Sequence, residues 1–323
     1  MKRIGVLTSG GDSPGMNACV RAVVRTALYH GVEVYGIMRG YSGLIKGEIV
    51  RLDTTAVANM VQRGGTLLKS ARSQKFTTRE GRQEAYNQLV HHGIEGLVVI
   101  GGNGTFTGAQ LFEQEFGIPT VGAPGTIDND LYGTDYTIGY DTAVNTALEA
   151  IDKIRDTADS HDRAFFVEVM GRDSGYIAIP CAIGGGAEIV LVPEQEQSLE
   201  SVIDMLQAGR KRQKSSFLVV VAEGDEEGNA TTVAAKVKEA IPELDVRVTV
   251  IGHIQRGGAP SAADRLLASQ IGIAAVEGLI NGMHSVMAGI IDRKLVYTPF
   301  EDCIKRKKPL NQSFMRMIEI LST

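Results

Sequence analysis

The sequence predicts an α/β protein of two doubly wound domains with mainly parallel sheets, on three observations. Apolar runs such as Ile4–Leu7, Leu97–Ile100 and Phe217–Ala222 lack polar alternation, as expected for strands covered on both faces. Each ends in a glycine-rich or acidic turn, and helical periodicity follows. The pattern restarts after about residue 140, and 323 residues suffice for two packed cores.

Composition narrows the function classes. Hydrophobic residues make up 43% and charged residues 22% of the chain, an ordinary globular balance. A formal net charge of −5 offers no general attraction to nucleic acid or anionic membrane. Trp is absent and aromatics are 6%, which argues against base-stacking platforms. No apolar run approaches a membrane span, and Met1-Lys2-Arg3 runs straight into a strand without a signal peptide pattern. Cys19, Cys181 and Cys303 are odd in number and far apart, so neither a zinc site nor a disulfide framework is expected, and a reducing cytoplasm is the simplest compartment.

Taken in order, strand Ile4–Leu7 leads into Thr8-Ser9-Gly10-Gly11-Asp12-Ser13-Pro14-Gly15, then a helix from Met16 to about Tyr29. Such a loop either presents backbone N–H groups to an anion or is merely a tight turn. It is neither a Walker A loop nor a dinucleotide fingerprint. Arg21 and Arg25, four apart, project on one helix face, a pattern that alone fits a solvated surface. A second strand over Glu33–Met38 leads to a flexible connection, Arg39-Gly40-Tyr41-Ser42-Gly43. Arg72 follows in a polar loop where a guanidinium can clamp phosphates, or can simply be a surface arginine. Leu97–Ile100 is a central parallel strand ending in Gly101-Gly102-Asn103-Gly104-Thr105, with a helix from about Thr107 to Phe116.

Pro124-Gly125-Thr126-Ile127-Asp128-Asn129-Asp130 leaves the next buried strand. If that segment is extended, Asp128 and Asp130 share a face beside Thr126, a carboxylate pair suited to proton abstraction. Glycine loops converging with a carboxylate pair at one sheet edge suggest phosphoryl transfer from a nucleotide with magnesium. A long helix from Thr142 to about Thr157 enters the second half, where strands Phe165–Met170, Ile189–Val192, Phe217–Ala222 and Arg247–Ile251 alternate with turns and helices. Helix Leu199–Gln207 runs to a basic patch at Arg210–Lys214, and Lys305-Arg306-Lys307-Lys308-Pro309 reads as a solvated tail.

With these pieces in order, the chain resembles the bacterial ATP-dependent 6-phosphofructokinases over essentially its whole length. The resemblance rests on Thr8–Asn17, Pro124–Asp130, Asp152–Thr157, Met170-Gly171-Arg172 and Gly252-His253-Ile254-Gln255-Arg256-Gly257-Gly258. It implies two Rossmann-like three-layer α/β/α domains: 1–139 with about 255–304 binding ATP, and 140–254 with about 305–323 binding the sugar phosphate. It implies Asp128 as general base for the sugar 1-hydroxyl, with Thr126, Asp130 and Arg172 beside it. Gly11, Tyr41, Arg72, Ser73, Phe76, Gly102, Asn103, Gly104 and Thr105 would hold ATP. Ile127, Arg163, Met170, Gly171, Glu223, Arg247, His253 and Arg256 would complete the sugar-phosphate site, with Arg163 and Arg247 serving a neighbouring subunit of a homo-oligomer, typically a tetramer. Arg21, Arg25, Asn59, Arg155, Gly186, Glu188, Arg212 and Lys214 match a regulatory site for a nucleoside diphosphate or phosphoenolpyruvate.

Pyrophosphate-using members carry a bulkier acidic residue and a lysine where this chain has Gly104 and Gly125, so the resemblance favours ATP. Asn103 stands where the family pattern has a magnesium-linked Asp, and Asn59 where it has an acidic residue. The expected activity is therefore fructose 6-phosphate phosphorylation with magnesium and ATP under allosteric control. The alternatives are a catalytically weakened regulatory paralogue, on the strength of Asn103, or the same fold acting on another sugar phosphate.

Overall fold

The structure, a computed structural model, describes residues 1–160, 163–195, 197–214 and 216–321. The chain forms two compact units, Met1–Ile127 with Leu131–Thr142 and Arg256–Lys308, and Asp128–Asp130 with Ala143–Gln255 and Pro309–Thr323. The chain thus passes from one unit to the other between Ile127 and Asp128, inside the Pro124–Asp130 motif.

The first unit begins β1 (Arg3–Thr8), α1 (Met16–Tyr29), β2 (Glu33–Ile37), α2 (Gly40–Lys46), β3 (Ile49–Leu52), α3 (Arg79–His92), β4 (Gly96–Gly101), α4 (Asn103–Phe116) and β5 (Thr120–Pro124). Helix α5 (Tyr140–Asp159) carries the chain out of it. The second unit holds β6 (Arg163–Val169), α6 (Ala178–Gly185), β7 (Ile189–Leu191), α7 (Leu199–Lys211), β8 (Phe217–Ala222), α8 (Ala230–Ala240) and β9 (Asp245–Val250). The chain returns to the first unit for α9 (Ala262–Ile280), β10 (Val286–Ile291), β11 (Lys294–Pro299) and α10 (Phe300–Lys305), and ends in α11 (Gln312–Leu321).

The first sheet has the order β11-β10-β5-β4-β1-β2-β3, parallel except for the edge strands β3 and β11. Successive strand residues feed opposite cores: Ile4, Val6, Val98 and Ile100 pack on one face, Leu7, Leu97 and Val99 on the other. That two-sided burial explains the unbroken apolar runs. Strands after β1 proceed one way and β4 and β5 the other, so the carboxyl ends of β1 and β4 flank a topological switch point, where open α/β sheets place ligands. The second sheet, β7-β8-β6-β9, is wholly parallel. The fold class read from sequence holds. No described helix is long and apolar enough to cross a membrane.

Three local readings need correction. Arg39–Gly43 is not a flexible connection but the start of α2, whose Gly43 lies against the Met38 carbonyl where a Cβ would collide. The two glycines disguised a helix, because helix interiors usually disfavour them. Lys305–Pro309 is solvent-exposed apart from the half-buried Lys308, as expected, but it is not a free tail. Lys307 bridges Leu131, Lys308 Nζ donates to the Asp135 carbonyl at 2.7 Å, and the Arg306 guanidinium lies 5.1 Å from the Tyr132 ring centre. The third concerns Asp128 and Asp130. Asn129 between them has φ 52°, a left-handed conformation, so the segment is not extended and the two-residue alternation does not apply.

Candidate active site

In the first unit, the adjacent parallel strands β4, β1 and β2 all end in predicted nucleotide residues. After β1, Gly10 adopts φ 87° and Gly15 φ 108°, turning the loop onto the uncapped start of α1. After β4, Gly102 precedes α4 without a side-chain cap; Thr105 N and Phe106 N donate to the Gly102 carbonyl at 2.9 and 3.2 Å, and the start of this 14-residue helix is suited to receive an anion. The two loops are laced together: Ser9 N donates to the Ile100 carbonyl at 3.0 Å and Thr105 Oγ1 to the Ser9 carbonyl at 3.3 Å. A side chain at Gly101 would strike Thr105 and the Ser9 carbonyl, so the glycine permits the lacing. A methyl group added at Gly104 would meet nothing within 4 Å, whereas one at Gly125 would meet Ile100 Cγ2 at 2.8 Å and Met16 Cε at 3.1 Å.

Tyr41 and Phe76 support this floor from beneath. Both are buried, their rings stack at 4.0 Å and 11°, and the Tyr41 hydroxyl donates to the Thr105 carbonyl at 2.6 Å. Burial pushes the Tyr41 phenol up from its ordinary range. Arg82, which sequence reading passed over, fixes the Phe76 turn by donating to the carbonyls of Phe76 and Thr77, both at 2.9 Å, while pairing with Glu115. Arg72 is exposed, and Ser73 Oγ accepts from Phe76 N at 3.3 Å. Arg256 Nη1 donates to the Asp12 carbonyl at 3.2 Å and fills the space a side chain at Gly11 would need. Asn17 clamps the neighbouring loop, donating to the carbonyls of Arg63 and Gly64 and accepting from Leu67 N. Asn103 Oδ1 is buried and accepts no hydrogen bond, a cost unless a ligand meets it.

In the second unit, β8, β6 and β9 end side by side in Glu223, Met170-Gly171-Arg172 and Gly252-His253. Arg172 is held at φ 55°, with its N–H donating to Glu223 Oε1 at 2.9 Å. Met170 N donates to Gln255 Oε1 at 2.9 Å, and Gln255 is fully buried. Asp128 is 3% exposed, and its carbonyl accepts from Ser174 Oγ at 3.2 Å. Burial, then the charges of Glu194 and Asp130, push the Tyr176 phenol up, which sets Tyr176 among these carboxylates. Arg163 and Arg247 both pair with Asp245, at 2.8 and 3.1 Å. The Arg163 hydrogen bond chiefly holds the Asp245 carboxyl below its usual range. His253 is exposed on the turn after β9.

A match to the family described as phosphofructokinase spans residues 3–279. The chain belongs to the phosphofructokinase family. It is 61% identical over 322 residues to the ATP-dependent 6-phosphofructokinase of Cytophaga hutchinsonii, covering 100% of this chain and 98% of that one. It is 56% identical to ATP-dependent 6-phosphofructokinase 1 of Thermus thermophilus, covering 100% of both. Among solved structures, phosphofructokinase from Saccharomyces cerevisiae aligns with a TM-score of 0.89 at 37% identity, over 100% of this chain and 47% of that one. The pyrophosphate-dependent phosphofructokinase of Marinobacter aquaeolei shares the fold, with a TM-score of 0.85 at 24% identity over 99% and 91% of the two chains.

Within this phosphofructokinase fold the predicted regulatory residues fall in two groups. Arg21, Arg25 and Asn59 lie on the first unit; burial and then the neighbouring Arg25 push the Arg21 guanidinium down. On the second, Glu188, Arg212 and Lys214 line one cavity of about 170 Å³, with Lys214 Nζ 2.6 Å from Glu188. Arg155 donates to the Gly186 carbonyl at 2.8 Å. The three cysteines are buried and unbridged, and burial pushes each thiol up to about 12, which leaves them unreactive. Sequence reading missed Ser174, Gln255, Asp245 and Arg82; only Asp245, two residues before Arg247 on one strand, carried a local signal.

Proposed function

We propose that this chain transfers the γ-phosphoryl group of ATP to the 1-hydroxyl of fructose 6-phosphate, yielding ADP and fructose 1,6-bisphosphate. The observation that carries the reading is 61% identity over the full chain to an ATP-dependent 6-phosphofructokinase. Supporting it are the uncapped α4 terminus and the open space at Gly104, where a nucleotide needs room. The weakened-paralogue alternative has no support among the relatives.

Asp128 accepts the proton of the sugar 1-hydroxyl as its oxygen bonds the γ-phosphorus and the bond to the ADP oxygen breaks. Thr126 and Asp130 flank that base. Arg72 and Arg172 offset charge on the transferring group, and the Gly11 and Gly102–Thr105 loops seat the phosphates through backbone N–H groups. His253 and Arg256 hold the 6-phosphate together with Arg163 and Arg247 contributed by a neighbouring subunit, while Met170, Gly171, Glu223 and Ile127 shape the sugar site. Asp245 keeps Arg163 and Arg247 side by side on β6 and β9, and Arg247 remains half exposed for an incoming phosphate. In this reading the first unit is the ATP-binding domain and the second the sugar-phosphate domain.

The unsatisfied, buried Asn103 Oδ1 is the atom that fits a magnesium ion, which takes few protein oxygens and keeps substrate phosphates and water. Asn103 would help hold such an ion alongside ATP, and the ion would supply charge neutralisation to the transferring phosphoryl group. Regulation by a nucleoside diphosphate or phosphoenolpyruvate at the arginine–lysine site, assembly as a homotetramer and a cytoplasmic location complete the proposal. A coupled kinase assay across sugar phosphates, with and without magnesium, tests it. Activity confined to fructose 6-phosphate with magnesium supports the reading, and activity on a different sugar phosphate replaces it.

A further inference from the structure

Two loops of the second unit carry the chemistry proposed above, Asp128–Asp130 and the Gly171–Arg172 turn, and one side chain joins them. Ser174 is 5% exposed, and its hydroxyl lies 2.9 Å from the Gly171 carbonyl and 3.2 Å from the Asp128 carbonyl. The Ser174 N–H also donates to the Gly171 carbonyl at 3.1 Å. A single buried hydroxyl proton is therefore shared between the backbone of the base and the backbone of the arginine turn.

Both loops need holding. Asn129 has φ 52° and Arg172 φ 55°, left-handed conformations that side-chain-bearing residues adopt at a cost and keep only when their surroundings enforce them. Gly171, at φ 149°, curls so tightly that a Cβ there would meet the Ser174 carbonyl at 2.5 Å. The far side of the brace is fixed too, since both Glu194 oxygens accept from Gly175 N at 2.9 and 3.0 Å. Ser174 thus sits on an anchored strut, and its hydroxyl reaches the base loop through the backbone carbonyl of Asp128.

We infer that Ser174 is a positioning residue for phosphoryl transfer, setting the base Asp128 and the charge-stabilising Arg172 in register. The inference rests on the phosphofructokinase reading. Losing a hydrogen bond of this kind is expected to lower kcat about three- to tenfold, because misplacing reacting groups acts on the chemical step rather than on substrate capture.

The experiment compares kcat, KM for each substrate and thermal unfolding for the wild-type protein, Ser174→Ala, Arg172→Ala and the double variant. The expected result is a loss of kcat of about three- to tenfold in Ser174→Ala, with KM for ATP within about twofold and a Tm near that of wild type. In the Arg172→Ala background the same substitution should cost clearly less than in the wild-type background, since one of the two groups whose register it sets is gone. An unchanged kcat in Ser174→Ala overturns the inference, as does an equal loss in both backgrounds accompanied by a fallen Tm. A wild-type protein inert toward fructose 6-phosphate overturns the functional reading itself and this role with it, an outcome distinct from an active wild type with an unaffected variant.

Discussion

Asn103→Asp probes the metal side of the reaction through a single atom exchange. Asn103 opens α4, whose first turn holds no acidic residue and no side-chain cap, and its Oδ1 is buried without a donor. Two effects act on the variant before ligand binds. A negative charge at a helix N-terminus is worth about 0.3–1 kcal/mol, while burying a carboxylate with no donor costs more than that. The ligand-free variant should therefore be no more stable than the parent. With magnesium and ATP present the balance reverses, because the cation now meets a full charge instead of one neutral amide oxygen. A charged interaction made in the transition state is worth about 1–3 kcal/mol, or roughly 5- to 150-fold in rate. The assay is kcat against free magnesium at saturating fructose 6-phosphate, with Tm read in parallel with and without magnesium–ATP. Asn103→Asp should half-saturate at lower free magnesium, reach a higher kcat and show the larger ligand-induced Tm rise. Superimposable magnesium curves for the two proteins would refute the placement of the ion at residue 103.

Asp128→Ser should lose about 10²–10⁴ in kcat with substrate affinities within a few fold, measured by steady-state kinetics and direct binding; near-normal turnover would remove Asp128 from the mechanism. Replacing Arg21 and Arg25 together by Ala should abolish the response to ADP or phosphoenolpyruvate while leaving effector-free catalysis intact, and an unchanged response would return the pair to a solvated face. Asp264 accepts from Gly139 N and Thr142 N, both at 2.8 Å, and from the Thr142 hydroxyl at 2.5 Å, so Asp264→Asn should destabilise by about 1–3 kcal/mol. Burial raises the Asp264 carboxyl above its ordinary 3.8 against those three bonds, so the folded state holds this proton more tightly than the unfolded chain. That contribution is full below the unfolded value and is lost as pH rises through the folded one. The margin of wild type over Asp264→Asn in denaturant titrations should therefore widen as pH falls from about 7 toward about 4; a margin that narrows contradicts the assignment.

The sheet cores and most site loops were legible because they follow local rules. Helix α1 and strand β8 fall where apolar periodicity put them, and Gly10 and Gly15 mark turns of positive φ that glycine makes easily. What stayed hidden depended on partners distant in sequence. Asp245 gains its role from the register that sets β6 against β9, Gln255 from Met170 lying 85 residues away, and Ser174 from an Asp128 carbonyl 46 residues upstream. The Asp128–Asp130 geometry failed for a different reason. Asparagine tolerates the left-handed region, so Asn129 breaks the extension without a glycine to announce it. In α2 the reverse occurred, where Gly40 and Gly43 suggested a loop although tight packing against the Thr8 and Met38 carbonyls is what requires them.

The central claim is that the γ-phosphoryl group of ATP reaches the 1-hydroxyl of fructose 6-phosphate. Phosphorus-31 NMR of the purified protein with magnesium, fructose 6-phosphate and ATP follows that transfer directly. The account predicts loss of the γ-phosphate resonance, matching growth of the C1-phosphate signal of fructose 1,6-bisphosphate, and no such signal when pyrophosphate replaces ATP. A product phosphorylated elsewhere, release of inorganic phosphate alone, or equal turnover with pyrophosphate would contradict it.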